Sequence, residues 1–361
     1  MMRDVLRAQR SWLVVLLVSL FFLQACAQRA EIYLTSHDVV EGIRTNYESG
    51  LETLPLSLQR HYAQRLYRMT GDERFLPYQL RHAEQLIQTF NRDVAGVLAQ
   101  PDYVLSRDRL ISERRPLRTE RQRQRALLLD AYPGMSFSTD LAFRLVQLEY
   151  YGLLDQLPHE EVALLKQVLE QADFESFLLS DAAIRHYAAQ AANQVWFLYQ
   201  LDVVDLRDAF MQRFQEVYPL SSDHGLSSSE FHNKVYGLTH IVIAASRYYQ
   251  DLLPDDEFTW ITDYFIDQTP LLLETATEDI LAEVGISLAL TGQADHPSVA
   301  LIRERLIAAY DPEHMMIPSP SGGTNFAQGE HRNVLAVMLL IWPDELFTGP
   351  YIELSSLKIE R

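Results

Sequence analysis

The sequence predicts an all-α protein made of helical hairpins closed into an (α/α) toroid, with an open α-solenoid as the alternative. Three observations carry this expectation. Alternating Val, Ile and Thr runs of strand type are almost absent after about residue 37. Amphipathic segments arrive in pairs joined by short turns. The first segments of the later pairs begin near residues 138, 180, 228, 277 and 326, a spacing of about 42 to 49 residues. Such a period marks helix–turn–helix units that bury their apolar faces on one another.

The chain opens with a different kind of segment. Arg3, Arg7 and Arg10 precede 12-WLVVLLVSLFFL-23, an apolar run too short to span a bilayer comfortably but suited to the core of a signal peptide. It ends in 23-LQAC-26, which resembles the bacterial lipobox through Leu23, Ala25 and Cys26. That resemblance implies cleavage after residue 25, diacylation of Cys26 and attachment to a membrane. With Ala27 rather than Asp after the cysteine, it implies the outer membrane, facing the periplasm. Cys26 is the only cysteine, so no disulfide can form within one chain. Residues 1–25 are thus expected to be a lipoprotein signal, 26–36 a linker, 37–350 a single toroid domain, and 351–361 a C-terminal tail.

Within the domain, 55-PLSLQRHYAQRLYRM-69 and 73-ERFLPYQLRHAEQLIQTF-90 form the first expected hairpin, split by Thr70-Gly71-Asp72. Later pairs are 138–155 with 158–172, 180–200 with 204–218, 227–250 with 255–267, and 276–291 with 297–310, and a last helix spans 326–342. Ser138 with Thr139, Ser180 with Asp181, Ser227 with Glu230, Thr275 with Glu278, and Asn325 supply the start signals. Second helices such as 158-PHEEVALLKQVLEQ-171 carry one charged face for water, whereas first helices such as 280-ILAEVGISLAL-290 are small and apolar. That asymmetry points to an inner and an outer ring. Residues 91–135 break the pattern. Their stretch 107-RDRLISERRPLRTERQRQR-125 holds eight arginines, read as a packed insertion or an outer helix interrupted at Pro116.

The formal charge of -18 disfavours nucleic acid as a partner. Loss of three Arg and of Asp4 with the leader, a net +2, takes it to about -20. Parallel first helices would gather their polar residues at one mouth. These are Arg185, His186 and Asn193 on one helix, His232, Asn233, Tyr236 and His240 on the next, and Glu278, Asp279 and Glu283 on the third. The last helix adds Glu330, His331, Arg332 and Asn333. Carboxylates at helix starts suit the macrodipole, but imidazoles there do not, so His186, His232 and His331 point to a site. Glu283, Glu330, His331 and His232 are the candidate catalytic groups. His186, Asn233, Tyr236, His240, Asp279, Arg332 and Asn333 are candidates for holding a glycan or peptide ligand.

No metal or cofactor is assigned. His232 and His240 stand eight residues apart, about 12 Å along a helix, too far to share one ion. An (α/α) toroid is similar to the scaffolds of glycoside hydrolases and polysaccharide lyases, which implies a carbohydrate-active enzyme, hydrolase before lyase. A hydrolase would use Glu283 or Asp279 with Glu330 as its carboxyl pair. A lyase would use the residue types of 232-HNKVY-236 with His331 and Arg332. The alternative is a non-catalytic envelope scaffold that binds a peptide, glycan or partner protein. The stretches 232-HNKVYGLTH-240, 278-EDILAEVG-285 and 329-GEHRNVLA-336 resemble an uncharacterised family of bacterial exported helical proteins, over about residues 45–350. That resemblance implies the fold and no reaction.

Overall fold

A computed structural model describes residues 34–219, 221, 223, 225–254 and 256–358. The leader, Cys26 and the linker up to residue 33 lie outside the described residues. The helices are α1 (Ser36–Gly50), α2 (Leu56–Thr70), α3 (Leu76–Ala99), α4 (Tyr103–Ser112), α5 (Glu120–Asp130), α6 (Met135–Tyr150), α7 (His159–Glu170) and α8 (Phe174–Leu178). They continue as α9 (Asp181–Gln200), α10 (Arg207–Val217), α11 (Ser228–Ala245), α12 (Thr259–Thr275), α13 (Glu278–Leu290), α14 (Pro297–Ala308) and α15 (Phe326–Leu340). Among the described residues the only β pairing is an isolated bridge between Asp311 and Met316, so the chain is all-α. None of their helices is long and apolar enough to cross a membrane.

The start signals work mostly as their chemistry requires. Ser227 and Glu230 form a reciprocal capping box on α11. Ser180 caps α9 through the Ala183 N–H, and Asn325 caps α15 through that of Gln328. Two signals fall elsewhere. The chain turns through Gly134 at φ 88 and enters α6 at Met135, leaving Ser138 and Thr139 inside the helix. Thr275 ends α12 by donating to the Leu271 carbonyl instead of starting α13, which begins after Thr277. The expected interruption near Pro116 is real: it separates α4 from α5.

Neighbour relations follow the first helices. α9 packs on α6, α11 on α9, α13 on α11, and α15 on α13, while α15 also packs against α2 of the first hairpin. α2 in turn meets α6, where Gln64 donates to Gln147 at 3.3 Å and the Arg68 guanidinium lies over the Tyr150 ring. Of the second helices, α3, α7, α10 and α14 pack on their expected partners, whereas α12 packs on α13 and α14 rather than on α11. Composition explains the division. Every residue of α13 from Ile280 to Leu290 is buried, because small and apolar side chains let it be surrounded. At Gly237 of α11 an added Cβ would stand 2.5 Å from the Phe214 ring and 2.9 Å from the Ala188 Cβ, so only glycine permits that approach to α9 and α10.

Past α15 the chain returns over the ends of α2 and α6. Phe347 donates to the Arg68 carbonyl at 2.9 Å and Ile352 to that of Tyr151 at 2.8 Å. This segment therefore lies on the core and buries Ile352.

Candidate functional site

The site is shaped by two irregular places in the backbone. The first is a kink in α9 at Tyr187, whose φ of -136 interrupts the helix. Such a break frees carbonyls that must find donors elsewhere. The Asn233 amide of α11 donates to the carbonyls of Ile184 at 2.9 Å and Arg185 at 3.1 Å, and Arg125 of α5 donates to that of His186 at 2.8 Å. Arg125 also stacks over Tyr187, and Arg121 reaches Asn233 at 3.4 Å. Part of the arginine-rich stretch is therefore spent on mending this kink.

The second irregularity follows α11. Arg247, Tyr248 and Tyr249 adopt left-handed φ values of 51, 59 and 71. Each such residue is strained by roughly 1–2 kcal/mol, a conformation that persists only where its surroundings impose it. Arg68 holds the turn by donating to the Tyr248 carbonyl at 2.6 Å, and the Ser246 hydroxyl accepts from the Tyr249 N–H at 2.9 Å. The turn brings Tyr248 to the wall of an open cavity of about 450 Å³. Phe143, Phe197 and Tyr187 provide its other aromatic surface, and Gln190, Asn193, Gln194, Thr139, Asp140 and Arg115 provide polar edges.

From that wall a chain of imidazoles and carboxylates runs inward across five helices. Asn193 Oδ1 lies 2.9 Å from His240 Nδ1. His240 Nε2 is 3.7 Å from Glu283 Oε1, and the same oxygen is 3.5 Å from His331 Nε2. His331 Nδ1 is 3.3 Å from His61 Nε2, and His61 Nδ1 is 2.9 Å from Glu330 Oε1. The Thr239 hydroxyl donates to Glu283 Oε2 at 2.8 Å. Both carboxyls are sealed, with side-chain exposures of 1% for Glu283 and 0% for Glu330, whereas His331 keeps 39%.

The environment drives the two carboxyls apart. Burial pushes Glu283 up, but the His240 and His331 imidazoles outweigh it and hold the group well below the carboxylate range. For Glu330 burial wins over the opposing pull of Arg65 and Arg60 and lifts it to about 7. Its Oε2 has no hydrogen-bond partner. His61 is held well below its ordinary value by burial, and then by Arg65, His331 and Arg60. One acid that titrates near neutrality, one carboxylate and intervening imidazoles are the ingredients of proton transfer.

Of the candidate residues, Glu283, Glu330, His331 and His240 come together. The carboxyls are linked through His331 and His61 and make no bond to each other. Tyr236 donates to Asp279, which also accepts from Thr277, one step outside the chain. The others serve the backbone or stand apart. Asn233 repairs the kink, and Asn333 pairs with both the N–H and the carbonyl of Ile317. Arg332 reaches the Ile317 carbonyl at 3.4 Å, and His232 meets that of Thr275 at 3.0 Å. His186 is half-buried, its pKa lowered by burial and then by Arg185. The meeting occurs mid-helix at His240 and near the starts of α13 and α15. His61 was the residue that sequence reasoning missed, because the period begins after α2. Its signal was the polar row His61, Arg65 and Arg68 on a helix otherwise bound for the core. Among the described residues no group of three or more His, Cys, Asp or Glu is placed to hold a metal ion.

These features define an all-helical protein with a buried imidazole–carboxylate chain beside an aromatic cavity. The chain belongs to a family described as Domain of unknown function (DUF3541), whose model matches residues 36–360. No curated protein matches it, and no solved structure does.

Proposed function

We propose that the protein is a lipid-anchored envelope protein that binds a glycan in the cavity beside Asn193 and acts on it by imidazole acid–base chemistry. The observation that carries this reading is the hydrogen-bond distance from Asn193, a cavity residue, to His240, the outer end of the histidine–carboxylate chain. Aromatic faces suit the C–H faces of sugar rings, and amide and hydroxyl edges suit their hydroxyl groups. The assignment of Glu283 and Glu330 as a hydrolase pair finds less support. An inverting pair needs space for a water between its carboxyls. Here two imidazoles link them. In this reading the carboxyls hold and tune His331 and His240, which move the proton. The (α/α) toroid is supported by the packing of α15 on α2, which brings the last helix back to the first hairpin. Anchoring at Cys26 is supported by the leader and its lipobox.

One set of measurements tests the proposal. The full chain and its His240→Gln and His331→Gln variants are incubated with neutral and acidic oligosaccharides, and products are read by mass spectrometry. Both variants are expected to lose at least about 100-fold in rate while keeping the helical circular dichroism of the parent. Cys26→Ser is expected to move the protein from the membrane to the soluble fraction. Turnover retained by both histidine variants, or binding of no oligosaccharide at all, ends the glycan-processing reading.

A further inference from the structure

Three arginines of α2 stand out in a chain whose formal charge is -18. Arg60, Arg65 and Arg68 stand at i, i+5 and i+8 of the helix, Arg65 and Arg68 buried and Arg60 half-buried. Arg65 is 6% exposed and Arg68 1%. No carboxylate among the described residues lies within 4.0 Å of any of the three, although Glu330 sits near enough to feel Arg65 and Arg60. A buried cation without a counter-charge is costly, by several kcal/mol once desolvated. Burial lowers the pKa of Arg60 and brings that of Arg68 down to about 10, and the three charges repel one another.

Their hydrogen bonds do not account for them. Arg68 clamps the strained turn through the Tyr248 carbonyl and reaches that of Gly349 at 3.3 Å. Arg60 bonds to Gln64 and Arg65 to the His61 carbonyl at 3.4 Å, both within α2 itself, and outside the helix Arg65 meets only the Tyr249 ring and hydroxyl among the described residues. Arg60 Nε, Arg65 Nε and Arg68 Nη2 are buried with no partner at all. Glu330 is bonded through Oε1 to His61, and its free Oε2 lies beyond 4.0 Å of all three guanidinium groups, while Glu283 is held by the imidazoles. Arg60 lies over Phe143 and Arg68 holds Tyr248, so two of the three stand directly behind residues that line the cavity.

We infer that the cavity takes a ligand bearing an oxyanion (a carboxylate, sulfate or phosphate) that settles against the unpaired guanidinium groups of α2, Arg60 first. The planar guanidinium fork matches two oxygens of such a group, and the missing counter-charge is what the ligand brings. This deepens the proposed function by giving the glycan an acidic substituent, and it rests on that reading only for the sugar itself.

The test is thermal unfolding of the full chain at constant ionic strength, titrated with sodium sulfate, sodium phosphate, an oligogalacturonate and a neutral oligosaccharide of equal length. At least one anionic probe is expected to raise Tm in a saturable way. Arg60→Gln and Arg65→Gln should each weaken that response at least about tenfold, the worth of a hydrogen bond to a charged group. Their ligand-free Tm should equal or exceed that of the parent, because an unpaired buried charge has gone. Sulfate stabilises most proteins weakly by exclusion, so a linear rise shared by all three proteins counts against the site. Saturation by the oligogalacturonate at lower concentration than by the inorganic ions places the oxyanion on a sugar, and the reverse order makes it a free anion; both uphold the site. No saturable response in the parent, or one retained by both variants, overturns it. Binding of the neutral sugar alone overturns the oxyanion site and leaves the glycan reading standing. Anion binding without any sugar binding does the opposite.

Discussion

Glu283→Ala is expected to lower the stability of the folded chain by about 3–5 kcal/mol at neutral pH, the usual cost of removing one partner from a buried polar cluster. The carboxylate is the only described acid within reach of both His240 and His331, and it also accepts from Thr239. Its loss leaves two imidazoles and a hydroxyl without their shared acceptor and opens a void in α13, where every neighbour is buried. The pH dependence has a definite sign. The folded-state pKa of Glu283 lies well below its ordinary value of 4.5, despite burial, because the imidazoles favour the ionised form. Its contribution is therefore present above about pH 4.5 and is lost as pH falls through the depressed folded value. Urea unfolding of both proteins from pH 7 down to pH 3 checks this. A difference below about 1 kcal/mol at pH 7, or one that grows as pH falls, contradicts the assigned role.

Glu330→Gln is expected to act in the opposite direction. Burial lifts Glu330 from 4.5 to about 7, so folding favours its protonated form. That contribution is complete below about pH 4.5 and is lost as pH rises through about 7. Above pH 7 the parent must bury an ionised carboxylate, and the neutral isostere avoids it. At about 1.4 kcal/mol per pKa unit, Gln should stabilise by roughly 3 kcal/mol at pH 8 and change little at pH 4. The neighbouring Arg60 and Arg65 already oppose the shift, and His61 and Tyr47 face the group in both proteins. Unfolding curves at pH 5 and pH 8 decide the matter. An equal effect at both pH values, or destabilisation at pH 8, shows that the carboxyl is ionised and paired throughout.

Much of the helix pattern was legible because it follows from local chemistry. Ser180, Ser227 and Asn325 start helices wherever they precede an apolar run, since their side chains accept from the free N–H groups there. The contrast between 158-PHEEVALLKQVLEQ-171 and 280-ILAEVGISLAL-290 likewise separated solvent-facing from enclosed helices. Glu283, Glu330, His331 and His240 belonged to the polar residues gathered on the first helices, together with His186 and His232, which stand apart.

What the residues could not disclose is depth and company. Helix starts were expected to carry the site, yet Asn233 and Asn333 there are consumed by backbone carbonyls, at the Tyr187 kink and at Ile317. His240 in the middle of α11 meets Glu283 near the start of α13, a match set by how the two helices are offset along their axes. His61 enters only because α15 packs on α2, a contact between residues 269 positions apart.

By itself the sequence determined that this is an all-helical chain and where most of its helices begin. Capping, periodicity and burial are properties of neighbours within a few turns. Tertiary structure alone decided which acids and imidazoles meet and which guanidinium groups of α2 are left without a counter-charge. Those pairings depend on the packing of helices far apart in the chain, and no local pattern encodes that distance.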